Sequence, residues 1–254
     1  MGYSTIKLEK QNQIYTLTLD NEKKLNSLSK LFFDEFDNAV EVIRNDDLSK
    51  VLIIKGKENV FSAGGDLKEI GAADYEKAFL MCQRVQNSFA SLFSLNFPVI
   101  AALEGIVFGG GFELSLHCDI RFCTKDTVLR LPESDLGLIP GAGGISVFSR
   151  IFSMSDAAYY LYTGNQIPVE IALQKGFVQE VLEKGVYERA FEFAKSLLEK
   201  SPESLAAIKK VLIRNLYEDL DNCMTYEARE FTSVLQNSGR SKIELFFKNK
   251  KKSK

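Results

Sequence analysis

Two short glycine-rich segments have the residue types needed to bind a carbonyl oxygen. The first covers residues 61–68 (FSAGGDLK) and the second covers residues 109–114 (GGGFEL). Adjacent glycines after an apolar run leave backbone N–H groups open to a ligand. Two such N–H groups directed at one oxygen would form an oxyanion hole. The alternative is that these glycines serve only tight turns or close packing.

Two glutamates stand where a carboxylate is unusual. Glu113 follows three glycines and lies among Phe112, Leu114 and Leu116, while Glu133 precedes the apolar, glycine-rich stretch 136–141. A carboxylate is costly to bury unless it is paired or used. Two carboxylates in a dry pocket can hold one water molecule and move protons. Taken singly, each could also be a helix-end or surface residue.

Other chemistries have little support in the sequence. The single histidine, His117, would have to serve any histidine-based triad or metal site, and we interpret it as a packing residue. The stretch 141–146 (GAGGIS) lacks the third glycine of a dinucleotide fingerprint, and neither a Walker lysine nor GxSxG occurs. We therefore expect no metal site and no separate cofactor.

The elements that would position these residues are those of an α/β protein. The chain has 254 residues with 45% apolar residues, enough for one substantial core. Its first 180 residues alternate short strands and helices, and its last 70 are helical, which predicts a core over 1–184 and a helical region over 185–254. Strands are predicted at 14–19, 51–54, 99–103 and 120–123, and helices at 29–43, 75–94, 112–116, 186–199, 203–215 and 218–236, with another helix opened by 141–144.

Charge and cysteine content indicate the compartment and the class of partner. The formal net charge of −2 argues against a nucleic-acid-binding surface, and we interpret the lysine-rich residues 248–254 as a solvated, frayed tail. No apolar run is long enough to span a membrane and no targeting signal is visible, so a cytoplasmic location is expected. Cys82, Cys118, Cys123 and Cys223 form no CxxC pair, and we expect them to be buried apolar residues.

Several motifs in order resemble those of the enoyl-CoA hydratase/isomerase (crotonase) superfamily. Besides the two glycine-rich segments, they are residues 98–105 (PVIAALEG), 118–120 (CDI), 132–133 (PE), 137–144 (GLIPGAGG), 161–164 (LYTG) and 172–178. The resemblance covers most of the chain and is densest between residues 59 and 178.

This resemblance implies a crotonase-like spiral of ββα units, with C-terminal helices that assemble trimers, which often pair into hexamers. It implies an acyl-CoA substrate, so that coenzyme A is part of the substrate. Gly65 and Gly110 would supply the two oxyanion-hole N–H groups. The carbonyl of Ala63 would face the adenine, and the CoA would lie along Lys24, Leu25, Gly64, Asp66, Leu67 and Lys68.

Glu113 and Glu133 match the two glutamates of the family's hydratases. In that mechanism they hold a water molecule that adds syn to a trans-2-enoyl-CoA, as in fatty acid metabolism, and yields a 3-hydroxyacyl-CoA. The alternatives are a double-bond isomerase, which needs only the Glu133 position, another crotonase-type acyl-CoA lyase, or a non-catalytic scaffold that binds RNA or protein, supported only by the lysine tail. Ile145, Ser146 and the stretch 237–247 depart from the family pattern, which leaves the acyl group and the pathway open.

Overall fold

The structure is a computed structural model that describes residues 2–57 and 59–252, with side chains except for Glu22 and residues 249–252. Its strands are β1 (Ile6–Gln11), β2 (Ile14–Leu19), β3 (Val51–Gly56), β4 (Val60–Ser62), β5 (Val99–Leu103), β6 (Ile106–Phe108), β7 (Ile120–Thr124), β8 (Val128–Arg130) and β9 (Glu180–Leu182). Its helices are α1 (Lys30–Arg44), α2 (Leu67–Gly71), α3 (Tyr75–Ala90), α4 (Gly110–Leu116), α5 (Phe148–Ile151), α6 (Met154–Thr163), α7 (Val169–Gln174), α8 (Val186–Leu198), α9 (Pro202–Arg214), α10 (Leu220–Val234) and α11 (Arg240–Lys252).

The strands form two sheets that the chain visits in alternation. The larger sheet has the order β1-β2-β3-β5-β7-β9 and is parallel except for the antiparallel β1–β2 pair. The smaller sheet has the parallel order β4-β6-β8. Three times the chain passes from a strand of the large sheet to one of the small sheet and then into a helix or 3-10 turn. This repetition is a spiral of ββα units, as the sequence resemblance implied.

The inner strands β3 and β5 of the large sheet are buried on both faces over residues 51–54 and 99–103, as the apolar run at 51–54 predicted. In β3, Leu52 and Ile54 join the main core with the α1 side chains, whereas Val51 and Ile53 face the other side. On that second face Val186, Ala190 and Ala194 of α8 cover the sheet. Alternate residues of one strand therefore enter two separate apolar layers.

Most predicted elements are confirmed, with differences at their ends. Ser29 caps α1 as expected, because its side chain accepts a hydrogen bond from Phe32 N. Helix α3 ends at Ala90 and turns follow, and residues 141–147 form turns before α5 begins at Phe148. The small sheet was not predicted, because strands of three residues show no periodic pattern.

The cysteine expectation is wrong at one position. Cys118, Cys123 and Cys223 are buried, but Cys82 is exposed on α3. Cys82 shares a helical face with Val85 and Phe89, three and seven residues further on, but the buried residues of α3, Ser88 and Phe89, lie in its last turn.

The C-terminal helices run on from one another. A π-helical segment, Leu235–Gly239, joins α10 to α11 without a break. Beyond Lys248 the side chains of the predicted frayed tail lie outside the described residues. Within residues 2–57 and 59–252, no helix is both long enough and apolar enough to cross a membrane.

Candidate active site

The sequence-predicted site residues come together at one edge of the small sheet. The turn at residues 63–66 follows β4, Gly109 and α4 follow β6, and Glu133 lies three residues after the end of β8. Because the three strands are parallel, their carboxyl ends lie side by side, and Gly109 N donates to Arg130 O across 3.0 Å. The small sheet therefore places both glycine-rich segments and both glutamates at a common edge.

Buried polar side chains hold the first glycine-rich turn in place. The hydroxyl of Ser62 donates to Asn26 O at 2.8 Å and accepts from Gly64 N at 3.1 Å. Gly64 has a φ of +96°, and its carbonyl accepts from Leu28 N at 2.8 Å. A side chain there would lie 2.9 Å from Phe108 O, so the turn requires glycine.

The backbone amides of Gly65 and Gly110 are close to one another and open. A methyl carbon built on Gly110 would lie 3.4 Å from Gly65 N, and one built on Gly64 would lie 3.2 Å from Gly110 N. Neither amide donates a hydrogen bond to any of the described residues. Unpaired N–H groups at this edge are available to a ligand oxygen.

The segments expected to contact CoA are joined to each other. Ala63 N donates to Leu25 O at 2.9 Å, and Lys24 Nζ lies 3.2 Å from Asp66 Oδ2. Lys24, Leu25, Leu67 and Lys68 all have exposed side chains. The turn and the Lys24–Leu25 loop thus form one surface beside the two open amides.

Glu113 is only 4% exposed, yet two amides hold its carboxylate. Ala142 N donates to Glu113 Oε1 at 2.6 Å and Gly144 N donates to the same atom at 3.0 Å. Burial raises the pKa of Glu113, and the two N–H donors act in the opposite direction because they stabilise the charged form. The glycine-rich stretch 141–144, in which a helix was expected, is instead the binding loop for this carboxylate.

Glu133, in contrast to Glu113, has a carboxyl oxygen that lacks a hydrogen-bond donor from the described part of the chain. Among the described residues its Oε2 atom is buried without a hydrogen-bond partner, and its Oε1 would lie 3.0 Å from a methyl carbon on Gly109. Burial, with repulsion from Glu113 as the second cause, raises the pKa of Glu133 to about 7. The N–H donors favour charge on Glu113, whereas Glu133 has no donor to its buried oxygen among the described residues.

Some residues that build the site were not singled out from the sequence. Asn26, 2% exposed with a φ of +54°, donates from its amide to Val60 O at 2.7 Å and ties the CoA-side loop to β4. Ser62, Ala142 and Gly144 complete the supports described above. Asn26 could have been suspected, because asparagine tolerates left-handed backbone, but the partners of the others are set only by the folded chain.

Comparison with known proteins agrees with the fold. Residues 9–254 match the family model for enoyl-CoA hydratase/isomerase. A probable mitochondrial enoyl-CoA hydratase 2 of Arabidopsis thaliana is 31% identical over 241 residues, which are 94% of this chain and 80% of that protein. A short-chain-enoyl-CoA hydratase of Clostridium acetobutylicum is 29% identical over 99% of this chain and 97% of its own. The crystal structure of an enoyl-CoA hydratase from Bacillus anthracis superposes with a TM-score of 0.91 at 29% identity, covering 97% of both chains.

The α/β spiral with its C-terminal helices is thus a crotonase fold. The chain belongs to the enoyl-CoA hydratase/isomerase family, and it is an enzyme of that type.

Proposed function

We propose that this protein is an enoyl-CoA hydratase, which adds water to a trans-2-enoyl-CoA and yields a 3-hydroxyacyl-CoA. The observation that carries the proposal is the contrast between two neighbouring glutamates. Glu113 accepts two N–H hydrogen bonds, whereas Glu133 has a buried oxygen without a partner among the described residues. One carboxylate and one carboxylic acid beside two open amides are the set of groups that syn hydration requires.

Each group has one task in this reaction. The thioester oxygen accepts hydrogen bonds from Gly65 N and Gly110 N, which stabilise the negative charge that develops on it. Glu113 takes a proton from water as the water oxygen bonds to C3. Glu133 gives its proton to C2, so that the two protons balance and both additions occur from the side on which the glutamates lie.

Substrate binding in this proposal uses the surface beside the amides. The carbonyl of Ala63 accepts no hydrogen bond from the described residues and would be free to accept one from the adenine amino group. Lys24 and Lys68 would lie along the phosphates, and Leu25, Gly64, Asp66 and Leu67 would line the rest of the CoA. Coenzyme A enters as part of the substrate, and no further cofactor takes part in these steps.

Hydration of crotonyl-CoA and of longer enoyl-CoA substrates, followed at the enoyl-thioester absorbance, tests the proposal. Glu113→Gln and Glu133→Gln should each lower kcat by roughly 10²–10⁴, since each removes a proton-transfer group. Glu199→Gln, at an exposed position on the end of α8, is the matched control and should leave the rate unchanged.

Two results would contradict a hydratase. A wild-type enzyme that leaves the whole chain-length series unreacted would exclude the proposed reaction. An activity that survives Glu113→Ala would identify a double-bond isomerase that depends on Glu133 alone.

We further propose a cytoplasmic homotrimer, or a hexamer formed by two trimers. The support is the apolar surface of the C-terminal helices, where Met224, Phe231, Leu245 and Phe246 are each more than half exposed. Large apolar side chains in such numbers are typical of surfaces that a partner covers.

A further inference from the structure

His117 lies at the C-terminal end of α4, the helix that carries Glu113, one turn after that residue. It follows the last residue of α4 and is 5% exposed. Its ring packs against Phe89 and Phe93, with ring centroids 5.6 Å and 4.8 Å away. Residues four apart on a helix share a face, so His117 and Glu113 project toward the same side of α4.

The ring makes a hydrogen bond that identifies its tautomer. Its Nδ1 lies 2.9 Å from the backbone carbonyl of Glu113, and a carbonyl oxygen only accepts, so Nδ1 carries the proton. Burial lowers the pKa of His117, which favours the neutral ring. The groups packed against the ring, Phe89, Phe93 and Gly143, are uncharged, and Glu113 is the ionisable residue on its own helix.

The other edge of the ring supports the loop that holds Glu113. A methyl carbon on Gly143 would lie 2.7 Å from His117 Cε1, and Gly143 has a φ of +107°. Gly143 stands between Ala142 and Gly144, whose N–H groups both donate to Glu113 Oε1. Contact with His117 therefore sets how closely the middle of this loop approaches α4.

A second side chain holds the loop from the direction of α3. Gln86 Nε2 donates to Gly141 O at 2.7 Å. The loop is thus tied to α3 at its first residue and rests on the imidazole at its third. The histidine contacts both the loop and the helix that carries the carboxylate.

We propose that His117 is a positioning residue for Glu113, acting through its Nδ1–H bond to the Glu113 carbonyl and through the contact of its ring with Gly143. The assignment extends the proposed hydratase mechanism and depends on Glu113 acting in it. His117 touches no substrate atom in this role. It holds the helix end and the loop at the spacing in which both loop amides reach one carboxylate oxygen.

Two matched variants separate positioning from packing. His117→Phe keeps an aromatic ring between Phe89 and Phe93 but removes the Nδ1–H donor. Phe93→Leu loosens the same stack and leaves the donor in place. We expect His117→Phe to lower kcat about tenfold with KM changed less than about twofold, because small misplacements of a reacting group are costly while the CoA contacts lie elsewhere. It should also move the pH profile of kcat, whereas Phe93→Leu should leave both kcat and the profile close to wild type.

A wild-type kcat and pH profile in His117→Phe would overturn the assignment. Equal losses in both variants would also overturn it, because the ring would then act by packing alone. If His117→Phe does not fold, ¹⁵N NMR of the wild-type imidazole decides the question, since the chain has a single histidine. A neutral ring protonated at Nδ1 at pH 7 is expected, and an Nε2-protonated or charged ring would overturn the assignment.

The same measurements distinguish failure of the positioning role from failure of the hydratase proposal. A folded wild-type enzyme without turnover on any enoyl-CoA would contradict the proposed reaction. The state of the imidazole would still be read by NMR in that case. The position of the Glu113 carboxylate would be read from the ¹³C titration of its carboxyl carbon in wild type and in His117→Phe, assigned with Glu113→Gln, and an unchanged titration would count against the positioning role.

Discussion

At the scale of single residues, the two glutamates have the same side chain and differ in the hydrogen-bond donors that surround their carboxyl groups. Both are buried carboxyl groups, and the pKa of each is raised. Glu113 has two N–H donors on one oxygen, whereas Glu133 has a buried oxygen without a partner in the described part of the chain. The fold thus gives two chemically identical side chains different hydrogen-bond surroundings, and the proposed acid and base roles rest on that difference.

The first prediction concerns the pH dependence of the rate. In the proposed mechanism Glu133 must be protonated to supply the C2 proton, and its pKa is raised to about 7. We therefore expect kcat/KM to fall above pH 7, approaching a tenfold loss per pH unit, since this parameter reports the free enzyme. Initial rates from pH 5 to 9 measure this fall of kcat/KM on the alkaline side. A kcat/KM that stays constant up to pH 9 would contradict the assignment of Glu133 as the acid.

The second prediction concerns stability. The pKa of the Glu133 carboxyl group is about 4.5 in the unfolded chain and about 7 in the folded protein, so the folded protein keeps the proton up to a higher pH. The free energy of unfolding therefore falls progressively as the pH rises between these two values. The loss is about 3 kcal/mol and is complete above pH 7. Glu133→Gln should therefore gain stability relative to wild type between pH 5 and pH 8.

Thermal unfolding of Glu133→Gln and wild type at both pH values measures this difference. Exposed Glu199→Gln is the control and should follow wild type at both. An equal difference in Tm at pH 5 and pH 8 would show that Glu133 does not titrate in this range.

At the scale of elements, the short strands β4, β6 and β8 end at the proposed catalytic groups. Helix α9 is tied to the core by a buried cation. Lys209 is 5% exposed, and its ammonium donates to Leu92 O at 2.8 Å, Phe97 O at 3.1 Å and Asp119 Oδ2 at 2.8 Å. Three acceptors satisfy all three N–H groups. This contact joins the C-terminal helices to the segment that leads into β5.

The third prediction follows from that contact. Lys209→Met removes the ammonium from two carbonyls and from Asp119, which keeps its hydrogen bond from Val99 N, and should cost about 3 kcal/mol and lower Tm by roughly 6–12 °C. Calorimetry measures the shift, with the exposed neighbouring change Lys210→Met as the control. Equal Tm values for the two variants would show that the buried ammonium does not hold α9 in place.

At the scale of the whole molecule, the described chain leaves an apolar surface uncovered on its C-terminal helices. Phe231 of α10 is 68% exposed and Leu245 of α11 is 57% exposed. Burying such side chains against a partner stabilises the assembly by about 25 cal/mol for each Å² of apolar surface removed from water. A second and third copy of the same chain would give a closed assembly.

The fourth prediction concerns this assembly. Light scattering should give the mass of a trimer or hexamer for the wild-type protein, and Phe231→Asp should shift it toward the monomer, because burying an unpaired charge is costly. Ser233→Asp adds the same charge at an exposed polar position nearby and should leave the mass unchanged. A monomeric wild-type protein would contradict the proposed assembly.

Several features were readable from the sequence because their causes are local. The apolar run at 51–54 indicated a strand covered on both faces, Ser29 indicated a helix start, and the glycine pairs indicated open turns. Secondary-structure propensity, helix capping and backbone freedom depend on neighbouring residues, so the local sequence predicts them. The motifs that resemble the family likewise marked Gly65, Gly110, Glu113 and Glu133 as candidates.

The tertiary structure decided how those candidates meet. Strands of three residues have no readable period, yet their parallel pairing brings residues 63–66, 109–113 and 133 to one edge. The donors to Glu113 come from Ala142 and Gly144, about 30 positions along the chain, in a loop where a helix was expected. Contacts between such distant residues depend on which strands pair and which loops pack. Because the folded chain as a whole determines both, no local pattern encodes which carboxylate receives the N–H donors.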